Sequence, residues 1–322
     1  MEEENKPQEE TALPPQEDGG KNKFIEFFEN VLKGAAIGIA FIIPGFSGGS
    51  VAAILGIYEK LVGSVADIFK HFKKSILFLL PILLGMILGV AALIYPIQLG
   101  LEHYPIPTVS LFVGLALGGL PSITEKLKLR EEKFKWEYII SLILPLAAAA
   151  ALCFIPSAEK EVDLFHLNAG GYFLLILIGV VGSCALVIPG ISGSMLLLIF
   201  GYYTPIVNLV MKDLLHGNQV GICIGVLACL AVGLVAGFFA ISVLMKFLLK
   251  KFPRGTYFAI VGFIVGSIPA VYVTTVNRYS ELSGLYSSPW YWVVTVVLFL
   301  LGAALSYLLV WYARKKQKQE KK

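Results

Sequence analysis

IPGFSGGSVAAILGIYEKLV, residues 43–62, and IPGISGSMLLLIFGYYTPIV, residues 188–207, are one segment written twice. At an offset of 145, nine of the 20 positions are identical, among them Pro44/Pro189, Gly45/Gly190, Ser47/Ser192, Gly48/Gly193, Tyr58/Tyr203 and Val62/Val207. A second pair follows at nearly the same period: Gly114, Gly118 and Pro121 of GLALGGLP match Gly262, Gly266 and Pro269 of GFIVGSIP at offset 148. In so apolar a chain one match can be chance, whereas two at one period point to an internal duplication.

The surrounding chain explains where such a duplication lives. Of 322 residues 57% are hydrophobic and only 15% charged, and the mean hydropathy is +0.78. An ordinary soluble domain carries about 25% charge and is excluded. Apolar runs cover roughly 31–66, 75–97, 107–123, 138–156, 171–210, 219–249, 256–276 and 289–312. Several approach the ~20 residues a helix needs to cross hydrocarbon, and lipid leaves helices as the spanning elements for runs without alternating polarity. The expected fold is an all-α polytopic membrane protein. The formal charge of +4 comes from basic clusters spread between apolar runs, which argues against nucleic acid. Cys153, Cys184, Cys223 and Cys229 read as small hydrophobes, and His71, His103, His166 and His216 form no metal-ligand spacing, so neither metal nor cofactor is expected.

Runs 31–66 and 171–210 are too long for single spans, and each is broken in its middle by proline and glycine. Each is expected to form a re-entrant broken hairpin followed by three spans, about six full transmembrane helices in all. An odd number of spans per repeat inverts the second copy. On that inverted-repeat topology all but three of the 26 Lys and Arg residues face the cytosol, the exceptions being Lys160, Lys212 and Arg278, which is what the positive-inside rule favours. The expected organisation is a disordered acidic cytosolic tail at 1–23, a first repeat at 24–156, a second, inverted repeat at 157–312 and a basic cytosolic tail at 313–322. The prolines and carboxylates of the first tail cannot bury enough apolar surface to offset ordering.

A Pro-Gly-x-Ser-Gly tip at membrane depth needs protein or a wet cavity around it, because unpaired amides in lipid cost several kcal/mol each. Pro44 and Pro189 stop one half-helix, while Gly45, Gly48, Gly49, Gly190 and Gly193 permit close approach of a ligand to the backbone. Ser47, Ser50, Ser192 and Ser194 open the next half-helix. That chemistry caps a helix and attracts an anion, and two such ends facing inward from opposite sides make a midplane site for phosphate or carboxylate. Four residues are secondary candidates. Tyr58 and Tyr203 read as packing residues that could mark an interface, Glu59 as a solvated hairpin end that could couple protons, and Arg278 as an outer cation able to meet an anion. The GxxxG pairs at Gly114/Gly118 and Gly262/Gly266 read as close helix packing, and Trp136, Trp290, Trp292 and Trp311 as an aromatic belt.

These segments, KGAAIGIAFIIPGFSGGSVAAILGIYE, CALVIPGISGSMLLLIFGYY, GLALGGLP and GFIVGSIP, resemble the bacterial and archaeal polyprenyl-phosphate transporter family over about residues 24–312. The resemblance implies a prokaryotic multi-pass protein of the cytoplasmic membrane with both termini cytosolic. It implies a transporter and not an enzyme, a flippase that recycles the lipid carrier undecaprenyl phosphate for cell-envelope synthesis. Its partners would be the polyprenyl-phosphate lipid and the bilayer, and a homo-oligomer is compatible with it. The chain departs from the family pattern at Phe41, where members often carry Asp or Asn, and at Ser50, where they carry Thr. The residues alone also admit an ion-coupled carrier of a small soluble anion. A polyprenyl-pyrophosphate phosphatase fits less well, because no arginine stands in either tip to stabilise phosphoryl transfer.

Overall fold

The computed structural model describes residues 23–43, 47–128, 136–155 and 162–320. The acidic tail at 1–22, Pro44 and Gly45, the basic loop 129–135, Lys160 and the last two residues lie outside the described residues, as does the Ser194 side chain. No strand occurs among the described residues, which form twelve α-helices. These are α1 (Lys23–Ile42), α2 (Gly48–Ile54), α3 (Tyr58–Ala66), α4 (Phe72–His103), α5 (Pro105–Lys128) and α6 (Trp136–Ala151), then α7 (Ala169–Val187), α8 (Gly193–Ile199), α9 (Tyr203–Asn208), α10 (Val220–Lys251), α11 (Pro253–Arg278) and α12 (Pro289–Glu320).

Elements of equal length recur at the offsets of the sequence match. Helices α2 and α8 are each seven residues long at offset 145, and α4 and α10 are each 32 residues long at offset 148. Tyr104 and Phe252 break the chain after α4 and α10 with φ/ψ of −138°/63° and −130°/53°. Gly56 and Gly201 turn it after α2 and α8 at φ of 71° and 75°, a left-handed conformation open to glycine at little cost.

The broken runs therefore hold two breaks each, where the sequence led to one. Helix α1 ends at Ile42, ahead of Pro44, and α7 at Val187, ahead of Pro189, because a proline has no N–H and pushes its predecessor out of helical space. The second break is the Gly56 or Gly201 turn, and α2 and α3 diverge there by 119°. Each run is thus a long helix followed by two short ones.

Among the described residues six helices are long and apolar enough to cross a membrane: Phe72–His103, Pro105–Thr124, Ala169–Val187, Val220–Lys251, Pro253–Arg278 and Pro289–Tyr312. This is a polytopic membrane protein. The number agrees with the sequence reading but the membership differs. Helix α7, expected as one arm of a hairpin, is a full-length candidate, while α6, expected as a span, stops after 16 residues. At 1.5 Å per residue α6 reaches about 24 Å, and a 3-10 turn over Leu152–Phe154 carries it on by about 6 Å, close to a ~30 Å hydrocarbon core.

Packing ties the two repeats together. Helix α1 lies along α4 and α7 along α10, whereas α5 pairs with α12 and α11 with α6, so each repeat lends a helix to the other. The GxxxG reading holds at these crossings. A Cβ on Gly118 would fall 2.2 Å from the Ala303 carbonyl oxygen of α12, and one on Gly266 would fall 2.4 Å from that of Leu146 on α6. The main core gathers around α2 and α3, with Ala52, Ile54, Tyr58 and Val62 packed against Ile82, Ala116, Ile260 and Ile264. Outward faces carry exposed Leu, Ile, Val and Phe along α4, α10 and α12, and all four tryptophans are exposed. Such an apolar exterior suits lipid rather than water.

Candidate functional site

The site follows from what Pro189 lacks. In a continuous helix the Ala185 carbonyl would accept the amide hydrogen of residue 189, but a proline has none to give. The hydroxyl of Ser47, from the other copy of the motif, donates to Ala185 O at 3.2 Å and to Ile188 O at 3.5 Å. Tyr58 adds a second bond across the repeats, its hydroxyl donating to Val187 O at 2.9 Å. Gly49 lies so close to the second segment that a Cβ there would stand 3.0 Å from Val187 O and 3.3 Å from the Pro189 nitrogen. The two motifs, 145 residues apart in sequence, meet in the protein interior.

Ser47, Ser50 and Ser192 are all buried, as are Gly48, Gly49, Pro189 and Gly190, while Gly193 is half-buried. The second segment rests on α11: Gly190, at φ 84°, leaves no room for a Cβ, which would come within 2.3 Å of the Phe263 carbonyl oxygen. Ser47 and Ser192 occupy the residue before α2 and α8 with extended backbone, as their sequence suggests. Neither, however, caps its helix through its side chain. For Ser47 the reason is competition, since the orphan carbonyl left by Pro189 is a stronger claim on the hydroxyl than a local amide.

Of the secondary candidates, Tyr58 belongs to this contact, being buried and bonded across it. Glu59 points elsewhere. It accepts a hydrogen bond from the Tyr257 hydroxyl of α11 and lines, with Gly56, Tyr58, Ser122 and Tyr257, a small pocket. It is thus more than a solvated hairpin end. Neighbouring Lys60 pairs with Glu26 of α1 at 3.2 Å and lies 4.6 Å over the Phe78 ring. Arg278 ends α11, its guanidinium 6.0 Å over the Tyr279 ring, and Tyr203 opens α9.

Sequence reasoning missed Ala185, Val187 and Ile188, which act only through their carbonyls, and Asp67 with Lys246. That last pair joins the end of α3 to α10 at 2.5 Å, next to an edge-on contact of Phe69 with Phe239. No group of three potential metal ligands occurs among the described residues.

Comparison with known proteins shows a family. Residues 37–284 match the model of a family described as undecaprenyl phosphate translocase-like. A polyprenyl-phosphate transporter of Staphylococcus aureus (strain NCTC 8325 / PS 47) is 31% identical over 282 residues, 87% of this chain and 95% of that protein. A polyprenyl-phosphate transporter of Vibrio cholerae serotype O1 is 29% identical over 328 residues, covering 91% and 99% of the two chains. No solved structure matches the chain.

Proposed function

The chain belongs to the undecaprenyl phosphate translocase-like family, and from that membership we propose that it moves a polyprenyl phosphate, undecaprenyl phosphate, across the bacterial cytoplasmic membrane. The family is one of translocases, so the chain is a transporter and not an enzyme. The observation that carries the reading is the contact of Ser47 and Gly49 with the second PGxSG segment, the buried Ser47 hydroxyl reaching across from one repeat to the other. In this reading repeats 24–156 and 157–312 are inverted, both termini lie in the cytosol, and the lipid returns to the inner leaflet for envelope synthesis by alternating access.

The phosphate is held by Ser47, Ser50, Ser192 and Ser194 and by the backbone at Gly48, Gly49, Gly190 and Gly193, with Pro44, Gly45 and Pro189 shaping the two turns. It arrives by exchange. Ser47 gives up the neutral carbonyls of Ala185 and Ile188 for a charged phosphate oxygen, and charge-assisted hydrogen bonds are roughly twice as strong as neutral ones. The polyprenyl tail stays in lipid, in keeping with the aliphatic outer faces of the helices.

The test measures undecaprenyl phosphate exposed on cells depleted of other carriers and supplied with wild type, Ser47→Ala or Ser192→Ala. Wild type should clear the outer-leaflet lipid and each variant should leave it in place. A folded, membrane-inserted wild type that leaves the lipid untouched would refute the assignment and turn attention to soluble anions.

A further inference from the structure

The two repeats share sequence but not environment. Val62 of α3 and Val207 of α9 are equivalent and identical, yet Val62 is 2% exposed and Val207 40%. The helices they would face show the same contrast. Ser242 of α10 is 1% exposed, and its counterpart at offset 148, Ile94 of α4, is 38% exposed. Helix α3 packs along α10, where Tyr58, Val62, Val65, Phe238 and Ser242 come together with little space left between them. Helix α9 makes no comparable packing with α4 among the described residues. One interface is shut and its pseudo-symmetric twin is open.

We propose that these are the two gates of the transport cycle and that they close in turn: α9 swings onto the uncovered face of α4 around Leu93, Ile94 and Gln98 as α3 leaves α10. The occupant of that face is thus a segment of the same chain, identified by its counterpart already seated on the equivalent face. Tyr58 and Tyr203 are the gate-latching residues. Tyr58 now bonds Val187 O at the end of α7. Tyr203, identical in the repeat, takes the equivalent Ile42 carbonyl of α1 once the other gate shuts. A preserved tyrosine pair is what such a swap requires, whereas the charged latch Asp67–Lys246 has no copy, its counterparts being Lys212 and Gln98. The exchange is possible because packed interfaces of this kind have discrete arrangements rather than a continuum. The inference rests on the transporter reading for its purpose. On the proposed topology the open gate faces outward.

The experiment places paired cysteines in full-length protein whose four native cysteines are replaced, reconstituted in vesicles of bacterial phospholipid. Pair one is Val62→Cys with Ser242→Cys, and pair two is Ile94→Cys with Val207→Cys; each is treated with a short, reducible bifunctional thiosulfonate. Both pairs should cross-link, either link should stop movement of undecaprenyl phosphate, and reduction should restore it. Tyr58→Phe should slow linking of pair one and speed that of pair two, changing the ratio of the two rates by about fivefold, the weight of one hydrogen bond. Tyr203→Phe should do the reverse. A tyrosine that merely stabilised its own interface would slow pair one without speeding pair two, and that result overturns the latch. Failure of pair two to link in protein that links pair one and transports lipid overturns the alternating gates. If both pairs link and the tyrosine variants shift them oppositely but no lipid moves, the gates stand and the lipid assignment falls.

Discussion

At the scale of single residues, the site depends on an amide that is missing. Pro189 ends α7 and leaves the Ala185 carbonyl without its helical partner, and Ser47 supplies the donor from the other repeat. Ser47→Ala should therefore cost about 1–3 kcal/mol, the penalty for stranding a buried acceptor. Thermal unfolding of the purified protein in detergent would read this as a lowered midpoint. Ser287→Ala removes a comparable hydroxyl bond, to Gly284 O at 2.9 Å, but at an exposed position. It should stay within about 0.5 kcal/mol of wild type, as surface substitutions usually do. Equal losses from the two variants would mean that Ser47 carries no special burden.

At the scale of helices, the fold is set by backbone-to-backbone crossings. Where Gly118 of α5 meets Ala303 of α12, a side chain has nowhere to go, since its first atom would already overlap a carbonyl oxygen. Gly118→Leu should force the pair apart, abolish the folded monomer peak in size-exclusion chromatography and leave aggregate. Gly63→Ala in α3 meets nothing within 4 Å and should purify like wild type, with a slightly firmer helix. If Gly118→Leu purified as a folded protein of normal stability, the α5–α12 crossing would not be what joins the repeats.

At the scale of the whole molecule, the end of α3 is tied to α10 by Asp67 and Lys246, whose side chains are 26% and 36% exposed. Partial exposure screens the pair, so a double-mutant cycle with Asp67→Asn and Lys246→Met should give a coupling of only about 0.5–1 kcal/mol in unfolding. Its larger effect should fall on which gate is shut, because even this energy changes a two-state ratio severalfold. Topology has its own check. Cysteines at Ser64 and His166 should be respectively protected from and reactive to a membrane-impermeant thiol reagent on intact cells. Labelling of both from outside would refute the inverted arrangement.

Sequence alone determined the class of molecule, the presence of a repeat and its period. Hydropathy and the PGxSG pairs express local chemistry, namely which residues leave water and where a proline or glycine interrupts a helix. The turns at Gly56 and Gly201 were present in the aligned glycines, but nothing local distinguishes a tolerated glycine from a bend of 119°. The reach of Ser47 and Tyr58 to carbonyls at the end of α7 had no signal at all, because a carbonyl belongs to every residue and only chain packing selects three of them. The same holds for the inequality of the repeats. Val62 and Val207 are the same letter in the same motif, and their different burial follows from what α3 and α9 pack against, which only the tertiary structure resolves.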